Sequence, residues 1–206
     1  MDVRDLGVLQ LDALREVASI GAGHAATALS QLTSSRIMVD VPQTRVLRLE
    51  EVAGAIGQPD DVVAAVLMRV LGDMTGRTVQ VFPAPTATRL AGILLGGGTP
   101  AFPKGFGELE QSALKEAANI LAGTYLNALS DFMGMLLLPS VPALAMDMAA
   151  AVLTASYINF GVAEDYVLCI DTIFRIDRPE EALRGHFLLL PDNASLKVLL
   201  QALQLG

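Results

Sequence analysis

A short polar pattern with possible catalytic use lies within this chain of 206 residues. Ser112, Glu116 and Asn119 stand at positions i, i+4 and i+7, so a helix carries all three on one face. A glutamate can form an ion pair, and a carboxamide oxygen can accept a hydrogen bond from water. Asn is a mediocre helix former and an unusual choice within an alanine- and leucine-rich segment. Taken alone, this pattern is typical of a solvated helix face.

The same pattern occurs a second time, 100 residues earlier in the chain. Asp12, Glu16 and Ser19 repeat the spacing, with serine in the place of the asparagine. Each copy is followed by a proline, Pro42 or Pro142, after 22 intervening residues. Because spacing and proline recur together, the pattern indicates a functional motif rather than an ordinary polar face.

The two copies lie within a longer internal repeat. Leu14–Ser30 and Leu114–Ser130 are identical at 9 of 17 positions. An alanine- and leucine-rich composition explains some matches, but it does not explain the matched glutamates or the pair Gly23 and Gly123. Apolar residues recur at helical spacing in both segments, so each copy of the motif is predicted to lie on a long helix.

Strand-like segments follow each long helix, and a second helix closes each half. The predicted strands are Arg36–Val41, Val62–Leu71, Thr78–Phe82, Ala143–Met148, Tyr166–Ile176 and Gly185–Leu190. The predicted closing helices are Ala87–Leu95, capped by Thr86, and Ala194–Leu203, capped by Asp192 or Asn193. We therefore predict an α+β fold: a pseudo-twofold duplicated αβββα unit whose long repeat helices pack on a shared, mostly antiparallel sheet.

The domain organisation follows from the same repeat. We predict a single domain made of two repeats, residues 8–96 and 106–206, joined by a Gly/Pro linker at 96–105. The linker lacks the Gly-Lys-Ser/Thr ending of a phosphate-binding loop, and nothing in the chain fits a dinucleotide fingerprint.

Composition excludes several classes of protein. An apolar fraction of 52% with 17% charged residues excludes intrinsic disorder. The formal charge of −8 leaves no cationic footprint for nucleic acid. The long uncharged runs contain prolines or polar residues and lack flanking basic clusters, so we expect buried core rather than membrane insertion.

The chain is poor in metal-ligating side chains. It has two histidines, His24 and His186, and a single cysteine, Cys169. Because a catalytic zinc normally takes three protein ligands, we expect no metal site of the chain's own. Cys169 cannot form an internal disulfide; we interpret it as a small core residue, which is consistent with a reducing cytoplasm.

The repeated motif resembles the [D/S]-x3-E-x2-N-x22-P signature of the CheC/CheX/FliY phosphatases of bacterial chemotaxis. The residues around both motifs, LDALREVASIGAGHAATALSQL and ALKEAANILAGTYLNALSDF, resemble CheC helices in particular. The two-copy layout and the turn Gly72–Gly76 also resemble CheC, so the resemblance extends over nearly the whole chain.

This resemblance implies an enzyme that hydrolyses the aspartyl phosphate of a CheY-type receiver domain. Its implied catalytic residues are Asn119, which positions the attacking water, and Glu116, which engages the receiver's lysine. Ser112 occupies a supporting position, and Pro42 and Pro142 are interpreted as structural residues that shape the start of a strand. The chain is expected to have no cofactor of its own, since the Mg²⁺ belongs to the receiver.

The first copy departs from the family pattern at Ser19, whose hydroxyl is shorter than a carboxamide. We therefore predict that Asp12, Glu16 and Ser19 form a degraded site. The resemblance also implies the deamidase CheD as a further partner.

Two alternatives to the enzyme stay open. The first is a non-catalytic module that binds phosphorylated CheY, regulates CheD, or does both. The second is a structural component like the flagellar-switch relatives, although the chain leaves little room for additional switch-binding segments.

Overall fold

The structure, a computed structural model, describes residues 7–33, 35–97, 106–158, 166–176 and 182–205. The helices are α1 (Val8–Thr33), α2 (Leu49–Ile56), α3 (Ala84–Leu94), α4 (Glu108–Met133), α5 (Ala149–Ile158) and α6 (Asn193–Leu205). The strands are β1 (Ile37–Asp40), β2 (Thr44–Arg48), β3 (Val62–Gly72), β4 (Gly76–Pro83), β5 (Leu137–Pro139), β6 (Ala143–Met148), β7 (Tyr166–Ile176) and β8 (Ala182–Pro191).

The α+β class and the two long repeat helices are confirmed, but each half contains more elements than αβββα. The observed order in both halves is αββαββα. The prediction lacked β2 and α2 in the first half and β5 and α5 in the second. Strands of three to five residues are too short to show an alternating pattern. Most of the predicted linker, from residue 98 to 105, lies outside the described residues.

The closing helices correct one of the predicted caps and support the other. Helix α3 begins two residues before Thr86, since Pro85 is tolerated within a first turn. At α6, the Oδ1 atom of Asp192 accepts a hydrogen bond from the backbone N–H of Ser195 at 2.8 Å, as an N-cap does.

The strands of the two halves form one sheet in the order β1-β7-β8-β4-β3-β5, with β2 also paired to β7 and β6 to β3. Every one of these pairs is antiparallel. The first two strands of each half pair with a strand of the other half, and β4 and β8 meet at the centre. Each half therefore completes the sheet of the other.

Helices cover both faces of the sheet. The larger core lies between one face and the helices α1, α3, α4 and α6. A smaller core lies on the other face beneath α2 and α5. Neighbouring residues of β3 alternate between the two cores, as expected for a strand buried on both sides: Val63 and Ala65 in one, Ala64 and Val66 in the other. Within the described ranges, no helix is long and apolar enough to cross a bilayer.

The long helices α1 and α4 approach each other closely at Gly21. A Cβ atom there would lie 2.7 Å from Cδ1 of Tyr125 and 3.0 Å from its Cα, so only glycine allows this packing. The Tyr125 ring centroid lies 4.9 Å from that of Phe187, and the phenol oxygen lies 3.2 Å from Oγ1 of Thr172. Burial raises the pKa of Tyr125 to about 12, so this phenol is a neutral part of the core.

Candidate functional site

Helix α4 presents the second motif because its other side is buried. It ends at Gly134, whose left-handed backbone (φ 66°) suits a residue without a Cβ. Nine residues on the inner side of the helix are buried against the sheet and α1: Leu114, Ala117, Ala118, Leu121, Ala122, Tyr125, Leu126, Ala128 and Leu129.

The motif residues of α4 lie on the opposite, outer side. Ser112 and Glu116 are exposed, and Asn119 is half-buried. Glu116 and Asn119 are separated by three positions, so their side chains are neighbours on the helix surface. Neither side chain forms a hydrogen bond or an ion pair with any part of the chain that the structure describes. Both groups are thus available to an external partner.

The first motif lies in the equivalent position on α1, where Asp12, Glu16 and Ser19 are all exposed. The difference is at the third residue. The Ser19 hydroxyl donates a hydrogen bond to the backbone carbonyl of Arg15 at 2.8 Å. This bond turns the hydroxyl back along its own helix, and serine has no carboxamide to extend outward.

The motif prolines lie between the short strands that follow each long helix. Pro42 is exposed between β1 and β2, and Pro142 is half-buried directly before β6. Another repeated residue, the serine near each helix end, links the helix to the chain beyond it. Ser30 Oγ accepts from the N–H of Ile37 at 2.9 Å, and Ser130 Oγ donates to the carbonyl of Met135.

Sequence reasoning missed a polar cluster, formed by Arg45, Cys169, Asp171 and His186, on the sheet face that also carries α2 and α5. Arg45 Nη2 lies 2.8 and 3.0 Å from the two carboxylate oxygens of Asp171, and His186 Nδ1 lies 2.9 Å from the first of them. Cys169 Sγ lies 3.7 Å from that same oxygen. No sequence spacing indicates this cluster, because three strands contribute to it.

The polar cluster has an apolar counterpart across the pseudo-twofold axis. Asp171 of β7 lies opposite His186 of β8, and the equivalent positions of β3 and β4 hold Leu67 and Val79. Arg45 of β2 lies opposite Cys169 of β7, and the equivalent positions of β6 and β3 hold Ala145 and Ala65. The fold therefore accepts apolar side chains at all four positions, and the charges are a property of one half of the sheet.

The electrostatics of the polar cluster favour an internal ion pair over a metal site. Ligand-type atoms of Cys169, Asp171 and His186 lie within 4.8 Å of one another. Although burial opposes ionisation of Asp171, hydrogen bonds from His186 and Arg45 lower its pKa below the ordinary value. Arg45 engages both carboxylate oxygens, and burial raises the pKa of the Cys169 thiol to about 12, so the thiol is protonated. The expectation that the chain has no metal of its own stays a prediction.

Comparison with known proteins connects the two motifs to one family. The model of the CheC-like family matches residues 9–45 and 109–146, which contain both motifs and both motif prolines. The chain is 36% identical to the CheY-P phosphatase CheC of Bacillus subtilis over 94% of its own length and 93% of that protein.

Solved structures share the fold at lower sequence identity. The crystal structure of Thermotoga maritima FliY superposes with a TM-score of 0.79 at 20% identity, covering 97% of this chain and 98% of that one. The chemotaxis protein CheX of Desulfovibrio desulfuricans superposes with a TM-score of 0.52 at 15% identity, covering 86% of this chain and 99% of that one. At these identities the likeness concerns the fold alone.

Proposed function

Because this chain belongs to the CheC-like family, we propose that it is a phosphatase that removes the phosphoryl group from the aspartate of a CheY-type receiver domain. The main support is the pair on the outer side of α4, the exposed Glu116 and the half-buried Asn119, whose side chains make no hydrogen bond with the described residues. The chain is also similar to a named CheY-P phosphatase over almost its full length.

Asn119 positions the attacking water in this proposal. Its carboxamide oxygen accepts a hydrogen bond from the water, whose oxygen then attacks phosphorus in line with the scissile bond. The bond between phosphorus and the aspartate oxygen breaks, the carboxylate leaves with the electron pair, and the water's proton passes to phosphate or solvent. An acyl phosphate already has a good leaving group, so placement of the water is the main requirement.

Glu116 has the role of docking and orienting the receiver. Its carboxylate forms an ion pair with the lysine of the receiver's phosphorylation site. This ion pair holds the Asn119 carboxamide at the correct distance from the phosphoryl group. Ser112 supports the same contact one turn earlier on the helix. The Mg²⁺ ion is part of the phosphorylated receiver, where it neutralises phosphoryl charge.

A decay assay tests this function. A cognate receiver is phosphorylated with a small phosphodonor, and its dephosphorylation is followed with and without substoichiometric amounts of this chain. Catalysis predicts several turnovers per molecule. An unchanged decay rate together with a stable complex would instead identify a non-catalytic module that sequesters the phosphorylated receiver, a possibility that the degraded first motif supports.

Binding of the deamidase CheD completes the proposal, with family membership as its support. Titration calorimetry of this chain with the CheD of the same organism tests it, and absence of binding heat at micromolar concentrations counts against it. The proposed site of action is the cytoplasm, with which the single, unpaired cysteine of the chain is consistent.

A further inference from the structure

Gly123 lies one turn beyond Asn119 on the outer side of α4. A Cβ atom built at this position meets nothing within 4 Å, so the packing of the described chain does not require a glycine there. Glycine is one of the least favourable residues in a helix interior, second only to proline. The absence of a side chain at this position therefore has no explanation among the residues that the structure describes.

The first repeat has the same feature. A Cβ atom at Gly23 also meets nothing within 4 Å, in contrast to Gly21, where Tyr125 would be 2.7 Å away. A helix glycine with open space also occurs at Gly54 in α2, but residue 154, the corresponding position in α5, is a threonine. The two repeats thus agree on an unexplained helix glycine on the motif face.

We propose that Gly123 is a positioning residue that leaves the backbone of α4 bare, so that the phosphorylated receiver can approach closely enough for Asn119 to reach the phosphoryl group. This inference rests on the proposed phosphatase function. Glycine is the usual residue where backbone must come close to a ligand. The space left open in both repeats is one that the receiver, rather than the chain itself, would occupy.

The geometry of the helix explains why the neighbouring turn matters. Asparagine has a single methylene between its Cα and its carboxamide, so the helix surface must lie near the scissile bond. The next turn is about 5.4 Å along the axis, and a methyl group there would extend about 1.5 Å from the backbone. Since a displacement of about 1 Å can reduce a rate on the order of 100-fold, a methyl that holds the receiver away impairs catalysis.

The charges of this surface favour the receiver as the occupant. Of the four residues of this stripe, Ser112, Glu116, Asn119 and Gly123, only Glu116 is charged, and the partly exposed Lys115 borders the stripe one turn before Asn119. This arrangement suits a partner with a cation next to its reacting group, as the receiver lysine is in the proposed mechanism. The charge on the outer side of α4 and the proposed mechanism are thus consistent with the same partner, the phosphorylated receiver.

The test is the substitution Gly123→Ala in the full chain, with Gly54→Ala as the matched control. Both replacements place a methyl group in open space within a helix, so both should raise Tm by about 2 °C. Gly123→Ala should lower kcat/KM for the phosphorylated receiver on the order of tenfold, with KM raised by weaker docking and kcat lowered by the greater distance between Asn119 and the phosphoryl group. Gly54→Ala, beneath the opposite face of the sheet, should leave the kinetics unchanged.

A purely structural role would move Tm and activity in the same direction, whereas the inference predicts that they move in opposite directions. Affinity for a receiver loaded with beryllofluoride separates the inference from the proposed catalysis. If the wild-type chain binds this receiver without turnover and Gly123→Ala weakens binding tenfold, docking at Gly123 holds while catalysis fails. If Gly123→Ala binds and turns over like wild type, the inference is overturned, and a wild-type chain that does neither overturns both.

Discussion

The outer faces of α1 and α4 share one backbone design and differ in the group that can reach outward. Both carry an exposed glutamate, and both carry an open glycine seven residues later. The Ser19 hydroxyl donates a hydrogen bond to the backbone carbonyl of Arg15, whereas the Asn119 carboxamide makes no hydrogen bond with the described residues. The two repeats thus keep the same placement of glutamate and glycine, while the third motif residue differs in length, in chemistry and in its hydrogen bonding.

The inner faces of the same helices differ in another way. Gly21 on α1 accommodates the Tyr125 ring, while the positions equivalent to these two residues hold Leu121 and Ala25. All four are buried. The small and large residues are therefore exchanged between the repeats, so the packing between α1 and α4 is not symmetric although the fold is.

The largest expected effect separates the two outer faces directly. Asn119→Ala should lower kcat for receiver dephosphorylation at least about 100-fold, equivalent to about 2.7 kcal/mol of transition-state stabilisation. Ser19→Ala should change it by less than about twofold. Single-turnover decay of a phosphorylated receiver measures both, and equal losses in the two variants would refute the asymmetry between the repeats.

The glutamates offer a second, smaller contrast. Glu116→Gln keeps the shape but removes the charge, and we expect KM to rise on the order of tenfold because an ion pair to the receiver is lost. Glu16→Gln should have little effect, since its helix lacks the water-positioning group. Added salt should raise KM for wild type and hardly affect Glu116→Gln, because exposed ion pairs are screened. A KM for Glu116→Gln with the wild-type salt dependence would contradict this role.

Repair of the first face tests whether anything else is missing there. Ser19→Asn should increase kcat up to about twofold, because at most one further site is added. In the background of Asn119→Ala, the same substitution should restore much of the lost turnover, with Ser19→Gln as a control of similar polarity but different reach. If the double variant stays inactive, the surroundings of Glu16, and not Ser19 alone, have degenerated.

Much of this comparison could be predicted from the sequence, because it depends on local periodicity. The repeat, both long helices and the exposed position of Glu116 follow from spacing alone, and the bounds of β6 and β7 match their prediction. The short helices α2 and α5 were missed since an eight- or ten-residue element shows few periods.

Features formed by distant strands could not be predicted in this way. The exchange of strands between halves depends on pairing across the whole chain. Arg45 reaches Asp171 over 126 residues of sequence, and neither residue belongs to a recognisable pattern. Whether residues 8–96 and 106–206 behave as one domain stays a prediction, although the exchanged strands favour it.

The smallest effect on turnover is expected from the inner face. Gly21→Ala should leave kcat/KM within about twofold of wild type, yet destabilise the fold by about 1 kcal/mol or more, because the new methyl meets Tyr125 and the carbonyl of Thr124 within 3.0 Å. Gly23→Ala, on the outer side of the same helix, should stabilise the fold by up to about 1 kcal/mol through helix propensity alone. Urea unfolding with an unchanged m-value measures both shifts. If the two substitutions change the free energy of unfolding in opposite directions, the inner glycine is needed for helix packing and the outer one is not. If both substitutions stabilise the fold, the close approach of α1 and α4 can relax at little cost.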